Sequence, residues 1–204
     1  MKIKCTLTEE ILGTASANPD IHREFIASKS ADAEKMKEEL ESLPADQLAL
    51  RQMTVFHRDT DNQPILFDYQ IKGFLKEAIG ILCELPDYAD IKFGKSKLSK
   101  YTFKRLVDNY IFVSPRKLRL SEGTGANCVR PLKAETPKGE RVSLATSETV
   151  PAGATFECEI KSLVGGTAID DLIRDALNYG QLKGLGCWRN SGKGRFEWEK
   201  IVTA

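Results

Sequence analysis

The sequence predicts an α+β fold, because strands and helices are mixed irregularly along the chain and a strand–helix–strand unit lies near each end. In the N-terminal unit, residues 2–7 alternate between polar and apolar side chains, and a strong helix begins at Asp68. In the C-terminal unit, an alternating strand at 154–162 precedes a helix at 167–179 and a last strand at 195–202. Two such units together favour a ferredoxin-like core that carries inserted helices and hairpins.

Periodicity also predicts which faces of these elements are buried. The first strand places Ile3, Cys5 and Leu7 on one face, as a half-buried strand does. The helix that Asp68 is expected to cap runs to about Cys83 and has an apolar stripe at helical spacing. That stripe consists of Ile71, Leu75, Ala78, Ile79 and Leu82. The corresponding stripe of the C-terminal helix consists of Ile169, Leu172, Ile173, Ala176 and Leu177.

The 204 residues are expected to form a single domain, 1–204, with two insertions. The first insertion, near 18–46, holds a short helix at 21–28 and an acidic helix at 30–43, to which the pattern assigns no role. The second insertion, near 90–120, is basic.

Shorter strands and one hairpin complete the predicted elements. Strands are expected at 48–56, 110–113 and 117–120. A hairpin is expected to pair 127–133 with 141–148 across a turn that contains Pro137 and Gly139.

Composition excludes several classes of protein. The hydrophobic fraction of 41% and the charged fraction of 29% are typical of an ordinary globular protein. A net charge of +1 gives no global argument for nucleic acid, so any such argument rests on local clusters. No apolar run approaches the roughly 18 residues of a membrane span, and no signal peptide is predicted. No membrane partner is expected.

The five cysteines indicate a reducing compartment. They are odd in number, widely scattered and never spaced as CxxC, so we expect buried free thiols and a cytoplasmic protein. Only His22 and His57 could supplement them as ligands, so no metal site is predicted. No cofactor is expected either.

A glycine-rich segment near the C-terminus is the main candidate site. Four glycines fall in eleven residues with the spacing GxG-x5-GxG: Gly184, Gly186, Gly192 and Gly194. Arg189, Lys193 and Arg195 lie within or just after them, and Trp188 offers a ring on which a base can stack. We therefore predict a loop whose backbone N–H groups and cations cradle phosphates. The alternative is a glycine-rich turn with its basic side chains in water.

The position of this loop excludes two nucleotide folds. A dinucleotide fingerprint and a P-loop both need a strand before the glycines and a helix after them. Here a helix precedes the glycines and a strand follows them.

The basic stretch at 92–119 is a second candidate for contact with nucleic acid. It holds nine Lys or Arg residues against one acid, Asp108, with aromatic residues interleaved. The candidate RNA-binding cations are Lys100, Lys104, Arg105, Arg116 and Lys117. Together with the glycine loop they are expected to form one continuous groove. The alternative is a solvated helix and hairpin edge.

These motifs resemble the RAMP superfamily of CRISPR-associated RNA-binding proteins. The glycine spacing after the last helix resembles the signature loop of that superfamily. The segment 65–78 resembles its "pGsSLKGalR" helix, with Lys72 and Gly73 at the core of the match. An opening strand followed by Leu12 and Gly13 agrees. The sequence departs from the family where Asp68-Tyr-Gln replaces the usual Gly-Ser-Ser.

The resemblance implies a RAMP-like domain that binds single-stranded RNA and has no catalytic role of its own. It would be a divergent, stand-alone or virus-encoded component or modulator of a CRISPR-type ribonucleoprotein, with effector subunits as further partners. Lys72 and Gly73 join the RNA-binding residues on this ground.

Two alternatives remain open. One is a metal-independent endoribonuclease in which His22 or His57 is the general acid or base, against the plainer interpretation of two surface histidines. The target-cleaving branch of the family uses a loop Asp, for which Asp59 and Asp61 are the candidates, although such a cluster is more often a turn. The other alternative is a viral interaction module or inhibitor that binds protein through the acidic helix 30–43.

Overall fold

The computed structural model describes residues 1–18, 53–88, 90–136 and 139–202. His22, the predicted helix at 21–28 and the predicted acidic helix at 30–43 lie outside those ranges.

Strands are more numerous than helices in the described part of the chain. In chain order, the strands are β1 Lys2–Leu7, β2 Ile11–Leu12, β3 Ala15–Ser16, β4 Met53–Val55, β5 His57–Arg58, β6 Pro64–Phe67, β7 Lys92–Phe93, β8 Ser96–Lys97, β9 Ile111–Ser114, β10 Lys117–Arg119, β11 Cys128–Thr136, β12 Gly139–Ser147, β13 Thr149–Val150, β14 Thr155–Ser162 and β15 Phe196–Lys200. The α-helices are α1 Asp68–Leu82, α2 Phe103–Tyr110 and α3 Thr167–Lys183, and 3-10 turns occur at Pro86–Tyr88 and Arg189–Ser191.

The central sheet confirms the predicted ferredoxin-like core. Its strand order is β15-β1-β14-β9, and every neighbouring pair is antiparallel. The core elements follow one another along the chain as β1–α1–β9 and then β14–α3–β15. Two strand–helix–strand units are therefore interleaved in one sheet, which is the arrangement of a ferredoxin-like fold.

The core lies between this sheet and the helices α1 and α3. The alternating strands bury one face, so Ile3, Cys5 and Leu7 point toward the helices as predicted. Both predicted helical stripes are buried in full. The rings of Phe74 and Phe196 meet edge to face at 5.6 Å and join α1 to the last strand.

The remaining elements are inserted between core elements. β2 to β6 lie between β1 and α1, the β7–β8 hairpin and α2 lie between α1 and β9, and the β11–β12 hairpin lies between β9 and β14. That last hairpin is longer than predicted. The basic insertion predicted near 90–120 ends earlier than expected, because Ile111–Ser114 is a core strand.

Two local predictions are corrected. Asp68 is the first residue of α1, and the N-cap position belongs to Phe67. The Asp68 carboxylate instead accepts a hydrogen bond from the Tyr69 N–H at 2.8 Å. The bounds of helix α2 were not predicted, although Phe103, Leu106, Val107 and Tyr110 have helical spacing and pack on the core. A helix in this stretch was part of the alternative interpretation only.

Candidate nucleic-acid interface

The glycine loop, residues 184–194, begins where α3 ends. All four glycines in it have positive φ: 81° at Gly184, 76° at Gly186, 84° at Gly192 and 71° at Gly194. Residues with a Cβ avoid that region, so the backbone path itself requires glycine at these positions.

The loop closes on itself and on the N-terminal segment. The Leu185 N–H donates to the Gly194 carbonyl at 2.8 Å, and the Gly194 N–H donates to the Glu10 carbonyl at 2.8 Å. A Cβ at Gly194 would overlap the Leu185 carbonyl oxygen, and one at Gly184 would overlap the Lys193 carbonyl oxygen. Close backbone approach within the loop therefore accounts for these two glycines.

Five of the backbone N–H groups in the loop cannot take part in the predicted phosphate cradle. The N–H groups of Gly184, Leu185, Ser191, Gly192 and Gly194 all donate to backbone carbonyls of the protein. Those donors are occupied by the loop's own fold and are not directed at a ligand.

The cations of the loop also have partners in the protein. The Arg189 guanidinium is 2.8 Å from the Glu77 carboxylate on α1, and Lys193 forms a short hydrogen bond with Glu10. That hydrogen bond raises the pKa of Lys193 above its ordinary value. Arg195 donates through Nε to the Leu182 carbonyl at 2.9 Å. Arg189 and Lys193 are thus neutralised locally.

Trp188 has a strained backbone and a half-exposed ring. Its φ of 57° is in the left-handed region, where a residue of this size is uncommon. The Arg130 guanidinium lies 5.2 Å from the centre of the ring, and the ring is 39% exposed. Arg130 lies in β11, far from the loop in sequence. Nothing in the sequence pattern predicted its contact with Trp188.

A cleft of about 300 Å³ separates the glycine loop from α1. Gly73 and Glu77 line it from α1, and Gly186 and Arg189 line it from the loop. His57 also lines it and is 3% exposed, with its ring 4.9 Å from that of Phe67. The structure therefore brings one candidate histidine, the glycine loop and the Gly73 segment to a single place.

Neither a positive φ nor close packing against the described residues requires a glycine at position 73. Gly73 is exposed in the interior of α1, and none of the described atoms would lie within 4 Å of a Cβ built there. An interior helical glycine costs about 0.5–1 kcal/mol relative to alanine. The helix loses that stability without any gain in packing against the described residues.

We expect Gly73→Ala to raise the free energy of unfolding by about 0.5–1 kcal/mol in urea titrations. Gly80→Ala is the matched control in the same helix, because its Cβ would lie 2.9 Å from the Phe103 ring, and it should destabilise the protein. A destabilised Gly73→Ala protein would mean that the fold already uses the space above Gly73.

Lys72 lies on the other side of α1. Its ammonium donates to the Asp108 carbonyl at 3.0 Å and lies 4.9 Å from the centre of the Phe112 ring. Lys76, one turn further, pairs with the Asp108 carboxylate at 2.7 Å. Adjacent helical residues are about 100° apart, so Lys72 faces α2 while Gly73 faces the cleft.

The α2 patch consists of Lys100, Tyr101, Lys104 and Arg105. All four side chains are exposed, and Tyr101 is 82% exposed. Within the described ranges, none of its three cations forms an ion pair. Lys100 places its ammonium 5.1 Å from the centre of the Tyr101 ring. Asp108 of α2 contacts Lys72 and Lys76, whereas Gly73 and Glu77 line the cleft, so α2 and the glycine loop flank α1.

The other predicted cations lie near the start of α1. Arg116 is half-buried, 5.0 Å from the centre of the Phe67 ring and 3.5 Å from the Asp68 carboxylate. Lys117 is exposed on β10, where it is paired in register with Phe67.

The loop acids belong to a turn. The Asp59 carboxylate accepts hydrogen bonds from the N–H groups of Asp61 and Gln63 at 2.9 and 2.8 Å, as in an Asx turn. Arg119 pairs with both Asp59 and Asp61. These contacts give both carboxylates a structural role.

The open face of the central sheet carries mixed charge. Lys2, Lys4 and Lys161 each pair with a glutamate on that face. Glu197 lies there as well, and Phe112 is the exposed aromatic residue of this face among the described strands. A surface of paired charges with one ring is a poor platform for stacked bases.

The thiols are free, as predicted, and three of the five are buried. Burial raises the pKa of Cys158 to about 12 and that of Cys5 further still, so both stay protonated. No cluster of three potential metal ligands occurs among the residues that the structure describes. None of the described helices is both long and apolar enough to cross a membrane.

Comparison with known proteins gives a likeness of fold. No family model matches the sequence, and no curated protein matches it. The chain is similar to one in the cryo-EM structure of the Type III-B Cmr-beta bound to cognate target RNA, with a TM-score of 0.56 and 13% sequence identity. The match covers 98% of this chain and 58% of that one, so this chain spans little more than half of its length. At this identity the likeness is one of fold alone, and it agrees with the ferredoxin-like core.

Proposed function

We propose that the protein binds single-stranded RNA as a non-catalytic, RAMP-like component or modulator of a CRISPR-type ribonucleoprotein. The observation that carries the proposal is the α2 patch, where three exposed cations without an acidic partner among the described residues lie within four positions of an exposed tyrosine, and Lys100 contacts its ring. Cations and exposed rings are the two features that bind single strands without regard to sequence.

The exposed face of α1 joins this patch to the glycine loop. A strand that lies across α1 would bring its phosphates to Lys100, Lys104 and Arg105 on one side and to Arg189 on the other. Phosphate can take the place of Glu77 on the Arg189 guanidinium, because both anions accept its forked hydrogen bonds. Lys193 and Arg195 would add to the positive electrostatic potential near the loop.

The similar chain supports the choice of partner. It belongs to a Type III-B Cmr-beta structure bound to cognate target RNA. We extend that partner class to this chain as part of the proposal, together with contact to other effector subunits. A cytoplasmic location follows from the same assignment.

The direct test is fluorescence anisotropy of a labelled single-stranded RNA titrated with the protein at low salt, with a duplex RNA of the same sequence as the comparison. We expect the single strand to bind more tightly, and its affinity to fall linearly with salt on a logarithmic plot. A protein that purifies free of nucleic acid and ignores the single strand at low salt would refute the proposal.

A metal-independent endoribonuclease is a second candidate, because His57 lines the cleft to which the glycine loop and α1 contribute. Cleavage assays on His22→Gln, His57→Gln and the double variant separate the two functions. Unchanged RNA binding with no histidine-dependent cleavage would exclude the enzyme. The viral interaction module or inhibitor through residues 30–43 stays a prediction, since that segment lies outside the described residues.

A further inference from the structure

We infer that the cleft between α1 and the glycine loop accepts one unstacked nucleobase of the bound strand, while the phosphates remain outside it. This inference rests on the proposed RNA binding and adds a base-binding site to it.

Gly73 leaves the mouth of the cleft open. A side chain at this position would project from the exposed face of α1 into the mouth of the cleft, and glycine leaves that space empty. The four glycines of the loop are accounted for by positive φ or close backbone approach. Gly73 has neither reason, so close approach by a bound group explains it best.

The walls of the cleft suit a flat ring. Leu12, Leu66 and Leu185 supply apolar surface from three different segments of the chain. A volume of about 300 Å³ is at the small end of the range for ligand sites and suits a single base better than a longer fragment. Extruded bases are typically held between apolar or aromatic walls and bound along their polar edge.

Gln70 provides a fixed polar edge inside the cleft. Its Oε1 accepts a hydrogen bond from the Phe67 N–H at 2.7 Å, and its Nε2 donates to the Thr14 hydroxyl at 2.9 Å. These bonds hold the amide in one orientation and use one acceptor site and one N–H. The amide keeps the capacity for one more bond of each kind, the donor–acceptor pair that a base edge requires.

The pair of Arg189 and Glu77 stands at the border of the cleft. Both line it and both are partly exposed, at 25% and 36% of the side chain. A strand whose base enters the cleft would bring its own phosphate beside this guanidinium. The charged groups therefore lie where the backbone of the strand would pass, and the apolar walls lie where the base would go.

Ultraviolet crosslinking of a random-sequence single-stranded RNA, followed by mass spectrometry of the peptides, tests the inference. We expect crosslinked nucleotides on peptides that contain Tyr69 or Leu185, and also on peptides that contain Tyr101. In Gly73→Leu the cleft crosslinks should disappear while the Tyr101 crosslinks remain, with affinity about tenfold weaker. Gly123→Leu is the matched control, since a Cβ there also meets no described atom, and it should behave like the unmodified protein.

Each outcome decides between the two proposals. Binding with crosslinks at Tyr101 alone, or cleft crosslinks that persist in Gly73→Leu, would overturn the base site and leave RNA binding intact. A protein that binds no RNA would overturn the proposed function itself. Urea unfolding of Gly73→Leu checks that the variant is folded, and leucine is a better helix former than glycine.

Discussion

Replacement of Lys100, Lys104 and Arg105 by alanine in one variant should weaken binding of single-stranded RNA by about 500-fold at 50 mM salt, and by about 30-fold at 200 mM. Both figures assume that each cation contacts one phosphate. Each such contact contributes about 0.7 to the slope of log affinity against log salt for a single strand, so the slope should fall by about 2.

The measurement is a salt series of anisotropy titrations on the unmodified protein and the triple variant. The matched control is a triple alanine variant at Lys2, Lys4 and Lys161 on the open sheet face. It removes the same formal charge, but those lysines are already paired with glutamates. We expect its slope to change little. Equal losses in the two variants would mean that net charge, and not the α2 patch, governs binding.

The two triple variants should differ because the lysines of the sheet face are paired with carboxylates before RNA binds, whereas the cations of the α2 patch are not paired with described carboxylates. A lysine paired with a carboxylate must give up that partner to bind a phosphate, so its net contribution is small. The cations of the α2 patch have no carboxylate to lose among the described residues. The same reasoning predicts that Arg189 and Lys193, which pair with Glu77 and Glu10, contribute less than their charges suggest.

The core could be predicted from the sequence because its signals are local. The alternation at Ile3, Cys5 and Leu7 and the two helical stripes report burial within a few residues. The order of the sheet follows because two strand–helix–strand units have few ways to share one sheet. The short helix α2 has the same spacing at Phe103, Leu106, Val107 and Tyr110, but its eight residues stand in the basic stretch, where the charge pattern directed the prediction to nucleic-acid contact.

The candidate site could be predicted only in part, because its determinants are distant in sequence. Arg189 meets Glu77 across 112 residues and Lys193 meets Glu10 across 183. No local pattern shows that these cations are already paired. Glycine spacing is ambiguous for a related reason, since a backbone that approaches itself and one that approaches a ligand both require the absence of a Cβ.

Gly194→Ala separates these two explanations of the loop and should have the largest effect on stability. The new Cβ would overlap the Leu185 carbonyl oxygen, and φ at this position is 71°. Relief of that overlap breaks the hydrogen bonds from Leu185 to Gly194 and from Gly194 to Glu10, and it moves the chain that leads into β15. We expect a loss of about 4 kcal/mol in the free energy of unfolding, measured by urea titration.

Gly153→Ala is the control that isolates the overlap from the backbone strain. Gly153 has a φ of 90°, but a Cβ there would meet none of the described atoms within 4 Å, so its loss should be about 1 kcal/mol. If both variants lose only that amount, the loop tolerates a side chain, and its glycines are better explained by the approach of a ligand. If Gly194→Ala loses far more, Gly194 is required by the fold of the loop itself, and the proposed binding of RNA is then assigned to side chains and not to the glycine backbone.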